Sequence, residues 1–242
     1  MVARIFEPVT LDIGSDDLTP VDGLSSGRPH RYLAELLRSG TCPSDRAFDR
    51  HLPRALRTAS SSYWTPLGVA AKAAAWLDEF GVRTVVDIGS GAGKFCVASA
   101  LAGHCEFVGL EQRSHLVGTA RELAKSFECD DRVSFHHFEF GTAPAPRADA
   151  YYLYNPFGEN LFCYQDHLDD YVELSEFRYA RDVAAARALL ESAPIGTYIL
   201  TYNGFGASVP TSYLEVRCSR EFPSVLRLWR KVNDESRIGD QG

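Results

Sequence analysis

The sequence predicts an α/β protein with a doubly wound, mostly parallel sheet of seven strands that ends in an antiparallel hairpin. Short apolar runs alternate with stretches of helical periodicity, and a glycine-rich turn joins one such run to the next helix. Near the end of the chain, two β-rich runs follow one another with no helix between them. Parallel neighbours need a helical crossover, whereas antiparallel neighbours need only a short turn, so these patterns together predict this architecture.

Length and composition are those of one domain with an extension. The chain has 242 residues, of which 45% are hydrophobic, enough to bury a sizeable core. Residues 1–28 are rich in Asp, Gly, Ser and Pro without a sustained period, and a short helical pattern follows at residues 31–37. We therefore predict an N-terminal arm and helical cap over residues 1–60 and the main domain over residues 61–242.

The first long helix is predicted to begin after Thr65. The Thr65 hydroxyl is suited to cap the free N–H groups, Pro66 suits the first helical position, and Gly81 suits the position after the last turn. One face of this helix is apolar through residues spaced by three and four: Leu67, Ala70, Ala74 and Leu77.

The remaining elements alternate as a parallel sheet requires. A buried strand is predicted at residues 84–88, a glycine turn at residues 89–93 and a helix at residues 94–102. Later strands are predicted at residues 106–110, 133–136, 150–154 and 197–202, with helices that begin near Ser114 and around Tyr179. The final runs, residues 212–218 and 225–229, suit a hairpin at the sheet edge.

The glycine turn is the most specific motif of the chain. Gly89, Gly91 and Gly93 alternate where a strand passes into a helix, and glycine there permits positive φ and close approach of a ligand to the backbone. A dinucleotide fingerprint, GxGxxG, would need its third glycine at position 94, which is a lysine. The spacing is therefore GxGxG, and we expect the ligand at the carboxyl end of this strand.

The segment Val85–Gly93, with Asp87 before the turn, resembles motif I of the class I S-adenosylmethionine (SAM)-dependent methyltransferases. Residues 65–202 also follow that family's order of elements. The resemblance implies a Rossmann-like methyltransferase fold, SAM as cofactor and a role for Asp87 in holding the aminoacid part of SAM. It also implies that the turn residues contact that part: Gly89, Ser90, Gly91 and Gly93.

Two further segments complete the predicted cofactor site. Glu111 closes the second strand 22 residues after Gly89, where a carboxylate can accept the ribose hydroxyls, and Gln112 lies beside it. NAD enzymes also use an acid there, so an NAD-dependent oxidoreductase is the alternative enzyme class. The run that ends at Glu139 resembles the family's strand whose final acid contacts the adenine amine, with Phe138 or Phe140 near the ring.

The acceptor is expected at the end of the fourth strand. Asn155, Pro156 and Phe157 resemble the Asn/Asp-Pro-Pro-aromatic motif of amine methyltransferases, although the second proline is absent. The resemblance implies a catalytic role for these three residues, in which the amide orients a nitrogen and the aromatic ring packs on it. A weaker resemblance to the non-SET lysine methyltransferases runs from Tyr63 to Gly93.

The sequence therefore predicts methyl transfer to a nitrogen of a protein side chain or of a small-molecule amine. The acidity of residues 159–177 favours a cationic acceptor. A formal charge of −7 disfavours nucleic acid as the acceptor. A SAM-binding module without catalysis is the other alternative, and the sequence does not indicate an oligomeric state.

Other classes of site and location are not favoured. The six cysteines are scattered without a CxxC pair, and His136 and His137 would face opposite sides of a strand, so we expect no metal. No run of 18 apolar residues occurs, so we expect no membrane span. The sequence begins without a signal-peptide pattern, and the expected location is the cytoplasm.

Overall fold

The computed structural model describes residues 29–221 and 223–233. The arm predicted over residues 1–28 lies outside the described residues. The predicted helical cap from residue 29 onward and most of the predicted main domain lie within the described residues.

The sheet has seven strands in the order β3-β2-β1-β4-β5-β7-β6. Strands β1 to β5 pair in parallel, and β7 is antiparallel to both of its neighbours, β5 and β6. The predicted mostly parallel sheet with a C-terminal antiparallel hairpin is thus confirmed. The strands are β1 Thr84–Ile88, β2 Glu106–Glu111, β3 Val133–His137, β4 Ala150–Leu153, β5 Tyr198–Tyr202, β6 Tyr213–Glu221 and β7 Ser224–Lys231.

In the described part of the chain, four α-helices precede α5, and four α-helices from α5 onward belong to the sheet domain or lead into it. None of the helices in the described part of the chain is long and apolar enough to cross a membrane. The helices are α1 Pro29–Arg38, α2 Asp45–Asp49, α3 Arg54–Arg57, α4 Ser60–Tyr63, α5 Leu67–Glu79, α6 Lys94–Ala102, α7 Ser114–Ser126 and α8 Glu176–Ser192.

Side chains alternate across β1 because successive residues of a strand point to opposite faces. Val85 joins the larger core, which includes apolar residues of α1, α2, α5, α6 and α7. Val86 and Ile88 join the smaller core, which includes Ala186 and Leu190 of α8. The cap therefore shares the larger core with the sheet: Leu37 and Phe48 are fully buried in it.

The two faces of the sheet are covered unequally. Among the described residues, α8 is the α-helix of the smaller core, and loops cover the rest of that face. The connections between β3 and β4 and between β5 and β6 contain no helix. The carboxyl ends of β3 and β5 consequently lead into loops rather than helices.

The prediction that Thr65 caps α5 is wrong. The Thr65 hydroxyl lies 2.6 Å from the buried Tyr152 hydroxyl, so it is used across the core, and the backbone N–H of Leu67 donates to Asp45 of α2 instead. The C-terminal part of the prediction is confirmed, since Gly81 has a φ of +68° just past the last turn.

Lys94, the first residue of α6, joins the cap to the sheet domain. Its side chain is 2% exposed, and the ammonium lies 2.6 Å from Asp45 Oδ1 and 2.9 Å from Asp49 Oδ1. The same ammonium donates a hydrogen bond to the Ser60 hydroxyl at 2.9 Å. A buried charge is stable only with such partners, so this cluster holds α2 and α4 against the start of α6.

We expect Lys94→Met to lower the free energy of unfolding by about 3 kcal/mol or more, because Asp49 would remain buried without its cation. Urea denaturation of the purified chain measures this. The matched control is Lys72→Met, which removes a lysine whose partner Glu221 is exposed, and we expect little change there. Equal stability of Lys94→Met and the wild type would contradict this role for the cluster.

Candidate functional site

A cavity of about 930 Å³ opens at the carboxyl ends of β1, β2, β4 and β5. This is the edge of a parallel α/β sheet where ligands bind, and the volume lies at the upper end of the range for small-molecule sites. Eight of the predicted site residues line it: Gly89, Gly91, Glu111, Gln112, Phe140, Asn155, Pro156 and Phe157.

The glycine turn lies at the base of the cavity. Because Gly89 and Gly91 have no side chains, the backbone of the turn lies directly against neighbouring residues. A Cβ on Gly89 would lie 2.9 Å from Pro156 Cβ, and a Cβ on Gly91 would lie 2.4 Å from the Trp64 indole nitrogen. Both glycines also have positive φ. The turn is thus confined between the cap on one side and the end of β4 on the other.

Glu111 joins the turn to the next element. Its carboxylate accepts hydrogen bonds from the backbone N–H of Gly91 at 3.0 Å and from the backbone N–H of Arg113 at 2.8 Å. Burial raises the pKa of Glu111, and these two N–H donors act in the opposite direction. Each oxygen keeps a further lone pair, so the carboxylate can still accept hydroxyl groups from the cavity.

Arg113 fastens the insert between β4 and α8 (residues 158–175) over the cavity. The guanidinium is 5% exposed and contacts Glu159 at 2.9 Å and Asp169 at 2.8 Å. Glu159 also accepts the backbone N–H of Leu168 at 2.7 Å. No sequence motif marks Arg113; its position two residues after Glu111 and immediately before α7 was the available signal.

Aromatic rings form much of the cavity wall. Phe140 and Phe157 lie 5.4 Å apart between ring centroids, at the end nearest β3. The ring centroids of Tyr154 and Tyr202 are 4.7 Å apart. Burial, and to a smaller extent the neighbouring Tyr202, raises the pKa of Tyr154 to about 12. At the cap side the wall is completed by three aromatic residues, namely Tyr63, Trp64 and Phe162.

Asn155 is held in an unusual backbone conformation at the end of β4. Its φ is +39°, its N–H donates to Gly204 O at 2.8 Å, and its carbonyl accepts from Gly158 N at 3.0 Å. No hydrogen bond joins its side-chain amide to the residues that the structure describes, and the residue lines the cavity. A fixed backbone and an uncommitted amide are typical of a residue that contacts a ligand.

Three predicted cofactor residues lie outside the cavity wall. Gly93 packs beneath the turn, where a Cβ would lie 2.6 Å from the Phe135 ring. The buried Ser90 hydroxyl has no hydrogen-bond partner among the described residues. Asp87 is 3% exposed and accepts the Cys96 thiol at 3.2 Å. Their predicted roles remain predictions.

Glu139 is also outside the wall. Its carboxylate contacts Arg181 at 3.2 Å and Arg178 at 3.4 Å. The carboxylate that does line the cavity near Phe140 belongs to Asp182 of α8, which is 4% exposed and accepts Arg181 Nε at 2.8 Å. Sequence reasoning missed Asp182, because a helix carrying many charges gives no local signal for one buried acid.

No histidine, lysine or cysteine is among the residues that line the cavity in the described parts of the chain. The charged groups of the wall already have partners: Arg113 with Glu159, Asp182 with Arg181, and Arg227 with Glu215. The described residues also contain no cluster of three or more metal-ligating side chains.

We expect Arg113→Met to loosen the insert, because Glu159 and Asp169 would lose their shared cation. Backbone amides of residues 158–170 should exchange hydrogen at least ~10-fold faster, as measured by mass spectrometry. Arg187→Met, which removes an exposed pair with Glu191 on α8, serves as control and should leave the insert unchanged. Unaltered protection in Arg113→Met would contradict the anchoring role.

A second prediction concerns Asp87, whose pKa burial raises from 3.8 to about 7. Between these values the folded chain keeps a proton that the unfolded chain has released, so stability falls as pH rises. We expect the free energy of unfolding of Asp87→Asn minus that of the wild type to increase by roughly 3 kcal/mol between about pH 5 and about pH 7.5, because only the wild type loses stability through this group. Urea denaturation at both pH values tests this, and a constant difference would contradict it.

Comparisons with known proteins agree with this geometry at the level of the fold. No protein-family model matches the chain, and the search of curated proteins returned no match. Among solved structures, the chain is similar to an RNA methyltransferase from Salinibacter ruber in complex with S-adenosyl-L-homocysteine. That structure is 20% identical, and the match covers 70% of this chain and 96% of the other, with a TM-score of 0.50.

The chain is also similar to the mitomycin 7-O-methyltransferase MmcR. The two are 18% identical, and the match covers 85% of this chain and 68% of the other, with a TM-score of 0.53. The sheet order, the single antiparallel strand β7 and these likenesses lead to the same conclusion. The chain has the Rossmann-like fold of the class I SAM-dependent methyltransferases.

Proposed function

We propose that the protein binds SAM in the cavity described above and transfers its methyl group to the nitrogen of an amine. The observation that carries the proposal is the arrangement of Glu111 and Asn155 at opposite sides of the glycine turn. A buried carboxylate with free lone pairs lies on one side, and an uncommitted amide lies on the other.

The residues of the cavity fit the parts of SAM. The backbone of Gly89 and Gly91 would contact the aminoacid part, and Glu111 would accept the ribose hydroxyls. The adenine ring would pack on the aromatic side chains Phe140 and Phe157, with the Asp182 carboxylate nearby as an acceptor for its amine. SAM supplies an electrophilic methyl group on a sulfonium.

The chain's contribution to transfer would be to position the amine and exclude water. The Asn155 amide oxygen accepts an N–H of the acceptor, which aligns the nitrogen lone pair with the methyl group. The aromatic walls formed by Tyr63, Trp64 and Tyr154 shield the site and favour cationic groups near their faces. The N–C bond forms as the S–C bond breaks, and the amine's proton leaves to water.

Nitrogen is favoured over oxygen because of what the wall lacks. An alcohol or phenol must lose a proton before it attacks, which calls for a general base. The described lining contains no histidine, lysine or cysteine, Glu159 and Asp182 already pair with arginines, and the Glu111 carboxylate would be occupied by the ribose hydroxyls. A neutral amine already has its lone pair, so it can react in such a site without a base.

The similar structures include an RNA methyltransferase and an O-methyltransferase, which act on different kinds of acceptor. The proposal of an amine acceptor is therefore based on this chain's own residues. The charge of −7 and the acidic insert disfavour a polyanion at the cavity mouth. An NAD-dependent oxidoreductase is disfavoured by the absent third glycine, since Lys94 uses that position for the buried ion cluster. The antiparallel β7 also departs from the dinucleotide-binding strand order.

Calorimetric titration with SAM and NAD side by side tests the cofactor. We expect SAM to bind the wild type, NAD not to bind, and Glu111→Gln to weaken SAM binding at least ~10-fold through loss of the charged acceptor. Glu106→Gln, at the exposed start of the same strand, is the matched control and should bind SAM normally. No SAM affinity in the wild type would end the proposal.

Transfer of a labelled methyl group to a panel of primary amines, phenols and RNA tests the acceptor. Asn155→Gly removes the amide while glycine tolerates the positive φ, so we expect an unchanged dissociation constant for SAM and a kcat lowered by ~100-fold. Methylation of phenols or RNA but not amines would contradict the choice of nitrogen. Tight SAM binding without product on any acceptor would favour the non-catalytic module.

A further inference from the structure

Exposed hydrophobic side chains are concentrated beside the cavity mouth. Of the eight large hydrophobic residues that are exposed in the described part of the chain, five lie between residues 161 and 177. Three of them are aromatic and about three-quarters exposed: Tyr164 at 77%, Tyr171 at 74% and Phe177 at 77%. We call the exposed side chains of residues 161–177 the insert surface.

The insert surface is continuous with the proposed site through Phe162. This residue is 40% exposed on the outside, lines the cavity on the inside, and lies 6.3 Å from the Tyr63 ring. The Tyr63 hydroxyl donates to the backbone carbonyl of Asp166, which joins the insert to the cap. A partner that covers Phe162 therefore also borders the cavity.

The charge of this segment has one sign. Residues 158–177 contain six acidic residues and no lysine or arginine. Glu159 and Asp169 are neutralised by Arg113, as described above. The other four are exposed and form no ion pair with the described residues, namely Asp166, Asp170, Glu173 and Glu176.

We propose that the insert surface is the docking site for a lysine- or arginine-rich segment of a protein, and that this protein is the methyl acceptor. The inference rests on the proposed function and narrows its amine to one carried by a polypeptide. A small amine needs only the cavity, whereas several exposed aromatic side chains on the one segment that borders its mouth are typical of a protein interface.

Charge complementarity indicates which kind of partner the insert surface binds. Four unpaired carboxylates attract a cationic segment and repel nucleic acid, and the faces of Tyr164 and Tyr171 can pack on lysine or arginine side chains. The amine to be methylated would then enter past Phe162 toward Asn155 and react in its neutral form. The neighbouring cations of the same segment would remain on the insert surface, where the carboxylates require positive charge.

Selection from a random library of 12-residue peptides displayed on phage tests the surface without assuming a sequence. The immobilised target is the whole chain, and the competitor in solution is Tyr164→Ser/Tyr171→Ser/Phe177→Ser. We expect enrichment of peptides rich in Lys and Arg. No enrichment, or enrichment of neutral or acidic peptides, would overturn the proposal.

The most enriched peptide is then synthesised and its affinity measured by fluorescence anisotropy. We expect at least ~10-fold weaker binding to Asp166→Asn/Asp170→Asn/Glu173→Gln and weakening in 0.5 M NaCl. The control removes three exposed acids elsewhere, Glu35→Gln/Glu106→Gln/Asp130→Asn, and should bind as the wild type does. Equal binding to both triple variants, or tighter binding of single-stranded RNA than of peptide, would also overturn it.

Methyl transfer separates this inference from the proposed function. We expect kcat/KM for the peptide to fall at least ~10-fold in the charge variant, with SAM affinity and transfer to a small amine unchanged. If the peptide binds the insert surface but no acceptor is methylated, the proposed function fails and the docking surface stands. If small amines are methylated and the peptide is neither bound nor methylated, the docking surface alone is excluded.

Discussion

The buried carboxylate of Glu111 connects the parts of the site. It accepts two backbone N–H groups, one from Gly91 in the glycine turn and one from Arg113 at the start of α7. The Arg113 guanidinium in turn holds the insert through Glu159 and Asp169. Arg113, two positions after Glu111, thus anchors the insert, so the proposed cofactor and acceptor regions are joined through hydrogen bonds and ion pairs.

A second connection runs through the cap. Lys94 follows the glycine turn and holds α2 by ion pairs with Asp45 and Asp49 and α4 by a hydrogen bond to Ser60. Trp64, just after α4, packs against Gly91, so the segment that precedes α5 contributes to the site. Both connections depend on a buried cation, Lys94 or Arg113, that is paired with carboxylates. Their geometry is therefore specified by electrostatics as well as by packing.

The sequence predicted what local patterns encode. The β1 strand, the GxGxG turn and Glu111 are local, and the absence of a helix between β6 and β7 identified the hairpin. Local patterns could not predict contacts between residues that are distant in the sequence. Thr65 forms its hydrogen bond with Tyr152, which is 87 residues away, and Arg113 donates to Asp169, which is 56 residues away. Asp182 rather than Glu139 lines the cavity for the same reason, since the path of α8 decides which acid is buried.

The account depends most on the claim that Glu111 and Asn155 mark two ends of one SAM site. A crystal structure of the chain with S-adenosylhomocysteine tests this claim most directly. It should show the ribose hydroxyls on the Glu111 carboxylate, the adenine against Phe140 and Phe157, and the sulfur facing the Asn155 amide. A ligand bound elsewhere, or bound here with its sulfur turned away from Asn155, would contradict the account.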